Sequence, residues 1–108
     1  MLITGANGVI GSDLVKFFSK ETKVYAVYRT PNLITKNLKN NNIVWIKQDL
    51  SKKFITKIKP KIIIHCAVTH ALSKKNDYKD FLNSNLLGLK NTIEFAKKNK
   101  VKKFFYLS

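Results

Sequence analysis

Apolar residues along this chain of 108 residues fall into short runs that alternate with segments of helical spacing. Met1 to Thr4 opens the sequence with Met1-Leu2-Ile3, and residues 23–28 carry Val24, Tyr25, Val27 and Tyr28. Ile43-Val44-Trp45-Ile46 is a third run, and each of the three reads as a strand bounded by turn-forming residues. Ile62-Ile63-Ile64 is continuous and β-branched, the pattern of a strand buried on both faces of a parallel sheet. Residues 101–107 supply a fifth strand. Between the strands, residues 9–20 place Ile10, Leu14, Phe17 and Phe18 on one predicted helical face. Residues 78–98 place Leu82, Asn85, Leu86, Leu89, Ile93 and Ala96 in one stripe of a longer helix. Pro31 ends the second strand, and the Asn- and Lys-rich stretch 32–42 predicts a loop with a helical turn. A short amphipathic segment, 51–58, precedes Pro60, and 69–77 is a polar loop.

Strands alternating with helices imply right-handed crossovers and a parallel sheet. The pattern predicts one α/β domain over residues 1–108, a doubly wound parallel sheet with strand order 3-2-1-4-5. In that order the ligand crevice lies at the carboxyl ends of strands 1 and 4, where the winding reverses.

The first predicted turn falls at that place. Thr4-Gly5-Ala6-Asn7-Gly8-Val9-Ile10-Gly11 carries three glycines spaced by three between a strand and a helix. A helix N-terminus reached through glycines is an anion site, because unpaired N–H groups and the positive end of the helix dipole converge there. Gly5 supplies a tight turn, Gly8 leaves room for a pyrophosphate against the backbone, and Gly11 lets the helix lie close on the sheet. The competing reading is an ordinary strand–helix turn with no ligand.

Other residues meet the same end of the sheet. Asp49 follows strand 3, where a carboxylate is able to accept from an adenine amino group or to cap the next turn. His65-Cys66-Ala67-Val68 follows strand 4; the small residues leave room for a ligand across the sheet, while His65 also suits a core position. Asn85 interrupts an apolar stripe and so needs a partner inside.

Composition narrows the function classes. A formal charge of +15 suggests nucleic acid at first sight. Yet 20 of the 21 cationic residues are lysines scattered along the chain and not gathered on one element, and the chain is also rich in asparagine and isoleucine. Arginine, the preferred reader of phosphate forks and guanine edges, occurs once, at Arg29. The charge therefore reads as a solvated surface, with neither nucleic acid nor membrane expected as a partner. The single cysteine excludes an internal disulfide, and no cysteine–histidine spacing suits a metal. No apolar run is long enough to span a bilayer and no leader pattern opens the chain, so a cytoplasmic location is expected.

Taken together, these motifs resemble the extended short-chain dehydrogenase/reductase family, also called the NAD-dependent epimerase/dehydratase family. The matching pieces are residues 4–11, Asp49-Leu50, His65-Cys66-Ala67-Val68, Asn85-Leu86-Leu87-Gly88-Leu89-Lys90-Asn91 and Lys103-Phe104-Phe105-Tyr106-Leu107-Ser108. The resemblance implies a Rossmann fold, here truncated after the fifth strand, in which Gly5, Gly8, Gly11 and the Val9 and Ile10 amides hold a pyrophosphate. It implies that Asp49 and Leu50 flank an adenine. It further implies that Ala67 and Val68 line the nicotinamide-side ribose, with valine where the family has a second alanine. Asn7, Cys66 and Asn85 lie within the matched motifs and join them as candidate cofactor contacts. Ser108 matches the first residue of the family's serine run and is expected near the cofactor, not as the catalyst. Strand 2 ends Tyr28-Arg29-Thr30 without the carboxylate that would hold a ribose 2′-hydroxyl. Arg29 stands where a 2′-phosphate would lie, which favours NADP over NAD; an arginine stacked over adenine is the alternative.

The family's acid–base pair, Tyr-x-x-x-Lys, does not occur: four residues after Tyr25, Tyr28 and Tyr78 stand Arg29, Asn32 and Leu82. The chain is thus expected to be the cofactor-binding half of an enzyme, inactive alone, with no catalytic residue of its own. The expected parent is a homodimeric sugar-nucleotide epimerase, dehydratase or reductase. A non-catalytic NADP(H)-sensing protein of the same fold and a basic nucleic-acid-binding module are the competing readings. Strand 5 is expected to show an unpaired edge and an uncovered apolar face.

Overall fold

The computed structural model describes residues 1–54, 56–67 and 78–107, giving for 78–84 only their place in a helix. In chain order the elements are β1 (Leu2–Thr4), α1 (Val9–Phe18), β2 (Val24–Tyr28), α2 (Leu33–Asn37), β3 (Ile43–Lys47), β4 (Ile62–His65), α3 (Tyr78–Lys98) and β5 (Lys103–Tyr106). The strands form one sheet in the order β3-β2-β1-β4-β5. Every pairing is parallel, and Thr4 stands opposite Val27 on one side and His65 on the other. The predicted topology is therefore the observed one.

Strand periodicity sorts the core into two layers, since successive side chains leave a strand on opposite faces. Ile3, Val24, Ala26 and Ile64 bury toward one face with Ala6 and Val15. Leu2, Val27 and Ile63 bury toward the other with Phe54 and Phe95, whose rings stack at 4.5 Å between centroids. Helix α1 thus covers the first face and α3 the second.

Both helices turn a different face inward from the one their large apolar residues suggest. On α1 the buried residues are Gly11, Ser12 and Val15, while Ile10 and Phe17 are 59% and 65% exposed. Leu14 and Phe18 only border the core. The reason is the close approach of Gly11 to the turn before the helix, which fixes the rotation of α1 and leaves its bulky side chains outside. On α3, Gly88, Thr92 and Phe95 are buried and Leu86 is 63% exposed. Leu89 and Ala96 are half-buried, Ile93 faces solvent, and the Leu82 side chain lies outside the described residues.

Segment 51–58 shows no helix among the described residues. Asp49 Oδ1 accepts from both the Ser51 N–H (3.0 Å) and the Ser51 hydroxyl (2.7 Å), and Thr56 Oγ1 accepts from the Ile58 N–H. Such local side-chain bonds compete with helix formation. The stretch after β2 does form its helical turn, α2, capped by Asn32. On β5, Phe105 and Tyr106 are about half exposed, as an uncovered edge strand should be. No described helix is long and apolar enough to cross a membrane.

Candidate functional site

The β1–α1 turn organises the carboxyl end of the sheet. Gly5 adopts φ +61°, a left-handed conformation that L side chains rarely take. A Cβ there would also lie 2.8 Å from backbone atoms of Cys66 and Ala67. The turn closes through Gly8 N–H to Gly5 O (3.1 Å), and the Ala6 N–H ties it to Val27 O at the end of β2 (3.0 Å). A Cβ on Gly11 would stand 2.0 Å from Gly5 O. Gly11 therefore lets α1 approach the turn itself more than the sheet, a correction to the expected role.

Gly8 is the N-cap of α1 and supplies no side chain to the helix, whose first turn holds no acidic residue. The Val9, Ile10 and Gly11 amides head the helix, where N–H groups lack intrahelical acceptors and the dipole favours an anion. A Cβ on Gly8 would meet only Gly5 O, at 3.3 Å, so the space above it is open.

Around this turn lies a cleft of about 810 Å³. It brings together twelve of the residues singled out from sequence: Gly5, Asn7, Gly8, Val9, Ile10, Gly11, Arg29, Asp49, Leu50, Cys66, Ala67 and Asn85. Val68 and Ser108, also singled out, lie outside the described residues. Gly88 and Leu107, which stand inside the matched motifs, line the cleft as well, and so do Thr30, Asn32, Gln48 and Ser51, which were not anticipated. Of these only Asn32 left a local signal, an Asn three residues before Thr35 at the head of an apolar pair, the spacing of an N-cap.

Two side-chain networks hold the walls. The buried Thr4 hydroxyl lies 2.8 Å from His65 Nδ1 and accepts from the Cys66 N–H (3.0 Å) and the Ala67 N–H (3.3 Å). With both lone pairs engaged, the hydroxyl donates to Nδ1, so His65 carries its proton on Nε2. Burial lowers the His65 pKa to about 4, which keeps the ring neutral. His65 is thus a core histidine joining β1 to β4, stacked near Tyr106 and Phe104. Its neighbour Cys66 is half-buried, and burial raises its pKa to about 11, so the thiol is an unreactive wall.

On the opposite wall, Asn91 of α3 donates from Nδ2 to Leu50 O (2.7 Å) and Lys52 O (3.2 Å). That fixes the turn carrying Asp49 and Leu50. The Asp49 carboxyl is held below its usual range by the Ser51 hydroxyl and N–H, with smaller help from Arg29 and Lys52. It is ionised, and Oδ1 caps the local turn, so the capping role applies whatever else the carboxylate contacts. No cluster of three His, Cys, Asp or Glu suited to a metal occurs among the described residues.

The sequence profile of the NAD dependent epimerase/dehydratase family matches residues 1–108. No curated protein matches the chain. Among solved structures, a UDP-galactose 4-epimerase is similar with TM-score 0.80 and 22% identity, covering 97% of this chain and 36% of its own. A UDP-glucose 4-epimerase from Thermotoga maritima, solved with UDP-glucose, gives TM-score 0.76 at 24% identity with coverage of 97% and 36%. A GalE-like L-threonine dehydrogenase from Cupriavidus necator in its holo form gives 0.71 at 17% identity, with coverage of 95% and 34%. At these identities the likeness is one of fold. The chain spans about a third of the length of these structures.

Proposed function

The chain belongs to the NAD-dependent epimerase/dehydratase family, and we propose that its cleft binds a nicotinamide dinucleotide as part of an enzyme acting on sugar nucleotides. One observation carries the reading. At the switch point of the sheet, a helix N-terminus without a side-chain cap meets open space above Gly8, in a cleft running from Arg29 to Ala67 and Asn85. A bulky anion fits that cradle, and a Cβ at Gly8 would begin to fill it.

In this reading the Val9 and Ile10 amides hold the pyrophosphate over the open side of Gly8, and Gly5 and Gly11 keep the turn and helix in contact beneath it. Asp49 and Leu50 border the adenine. Cys66, Ala67 and Asn85 border the nicotinamide half, and Val68 and Ser108 extend that wall. When bound, the nicotinamide supplies hydride transfer. Arg29, exposed at the end of β2, offers a guanidinium to a 2′-phosphate, and NADP is therefore the preferred form. The partners that follow are a sugar-nucleotide substrate and a second subunit of the parent enzyme. The acid–base Tyr-x-x-x-Lys pair belongs, in this reading, to a further part of that enzyme.

Titration calorimetry of the chain with NADP, NAD and ADP-ribose tests the proposal. Saturable binding of all three, tightest for NADP, is expected. Absence of binding to every one of them would overturn it.

A further inference from the structure

The strip between Gly8 and α2 is held by five side-chain bonds that the functional reading does not use. Asn7 Nδ2 donates to Thr30 O at 2.7 Å. Asn32 Nδ2 donates back to Asn7 O at 2.9 Å. Meanwhile Asn32 Oδ1 accepts from the Ile34 N–H (3.0 Å) and the Thr35 N–H (3.2 Å), and Thr35 Oγ1 accepts from the Asn32 N–H (3.0 Å). One amide side chain thus caps α2 with its oxygen and grips the glycine turn with its nitrogen. The cap fixes which way the amide points, because Nδ2 has no capacity to accept from the α2 N–H groups.

We propose that Asn7 and Asn32 form a clasp that positions the loop carrying Arg29 and Thr30 against the glycine turn, setting the discrimination between NADP and NAD. They are positioning residues: Asn7 acts through its bonds to the neighbouring loop, not as a ligand through its amide. The geometry favours this over simple loop packing. The two bonds run in opposite directions between residues 7 and 30–32, so they fix both the separation and the orientation of the two segments. Arg29 is adjacent to the clasped Thr30, and its exposed side chain interacts electrostatically with Asp49. A long exposed side chain loses rotamer freedom on binding, and a fixed root leaves less to lose.

The inference rests on the dinucleotide reading above, and its test separates the two. Affinities for NADP and NAD are measured by calorimetry for the chain and for Asn32→Ser, Asn32→Ala and Asn7→Ala. Serine remains a competent N-cap but lacks the second, nitrogen arm, and all three changes are neutral in charge. Asn32→Ser, Asn32→Ala and Asn7→Ala are each expected to weaken NADP by about three- to tenfold, the range of one net hydrogen bond. NAD, without the 2′-phosphate, is expected to weaken less in each case. Asn7→Ala combined with Asn32→Ser is expected to lose less than the two single losses multiplied, because each change already opens the same clasp. A wild-type affinity for Asn32→Ser alongside a loss for Asn32→Ala would reduce Asn32 to a helix cap and overturn the clasp. So would equal losses for NADP and NAD, which a general loosening produces. A chain that binds neither dinucleotide overturns the site reading itself.

Discussion

Replacing Gly11 by alanine sets two effects of opposite sign against each other. Gly11 lies inside α1, and intrinsic helix propensity favours alanine over glycine there by about 0.8–1 kcal/mol. The structure demands the reverse. The new Cβ would stand 2.0 Å from Gly5 O, 2.8 Å from Gly5 C and 3.0 Å from Ala6 Cα, all backbone atoms of a turn with no side chain to swing away. Relief requires α1 to lift off the turn by more than an ångström, straining the Val15 contacts below. Overpacking of this kind costs about 1–3 kcal/mol, and a backbone neighbour puts it at the upper end. The net expectation is a destabilisation of about 1–2 kcal/mol, or a fall in Tm of roughly 4–16 °C for a domain of this size. Gly8→Ala is the internal control: its Cβ meets one atom at 3.3 Å, so it costs mainly the N-cap preference of glycine over alanine, roughly 0.5–1 kcal/mol, while the anion cradle narrows. Thermal melts followed by circular dichroism at one protein concentration compare the three chains. Gly11→Ala melting at or above the wild type would show that propensity outweighs the contact, and the account of α1 seated on the Gly5 turn would fail.

Other outcomes follow from the same geometry. Arg29→Ala should weaken NADP by about tenfold and NAD much less, as loss of a charge-assisted contact at an exposed site implies; equal losses by calorimetry would refute the 2′-phosphate role. Thr4→Val should cost about 1–3 kcal/mol in denaturant melts, because the Cys66 and Ala67 N–H groups and His65 Nδ1 lose their shared partner; a neutral result would show that the Thr4 network adds nothing. His65 has a folded pKa of about 4 against an ordinary 6.5, so its neutral form is favoured on folding. That contribution is full above pH 6.5 and is lost as pH falls toward 4, with a slope of up to about 1.4 kcal/mol per pH unit. His65→Asn should flatten the melting midpoint against pH in that window, and an unchanged slope would assign the loss to the carboxylates.

Much of this arrangement was legible in residue order alone. Strand runs of two to four β-branched or aromatic residues with glycine and proline punctuation sufficed for the β3-β2-β1-β4-β5 order, because right-handed crossovers leave few alternatives. The glycine turn, Asp49 and the Cys66-Ala67 exit were legible because each follows a strand whose carboxyl end must face the crevice. Rotation of the helices was not. Large apolar residues at helical spacing mark a face that wants burial, yet on α1 close backbone approach selects Gly11 for the inside, and on α3 the inside falls to Gly88, Thr92 and Phe95. That choice turns Phe17 and Leu86 to solvent. Long-range polar pairs were hidden for a related reason. Thr4 with His65, Asn7 with Asn32 and Asn91 with the Leu50 carbonyl join residues 25 to 61 positions apart or are set by a three-dimensional turn. Periodicity carries no record of such pairs.

The central claim is that the amides at the head of α1 hold the phosphates of a dinucleotide. Following backbone amide resonances of the isotope-labelled chain during titration with NADP tests it most directly. The account predicts saturable shifts largest at Val9, Ile10 and Gly11, with Arg29 and Thr30 responding more to NADP than to NAD. Saturation with those three amides unmoved, or shifts centred elsewhere on the sheet, would contradict it.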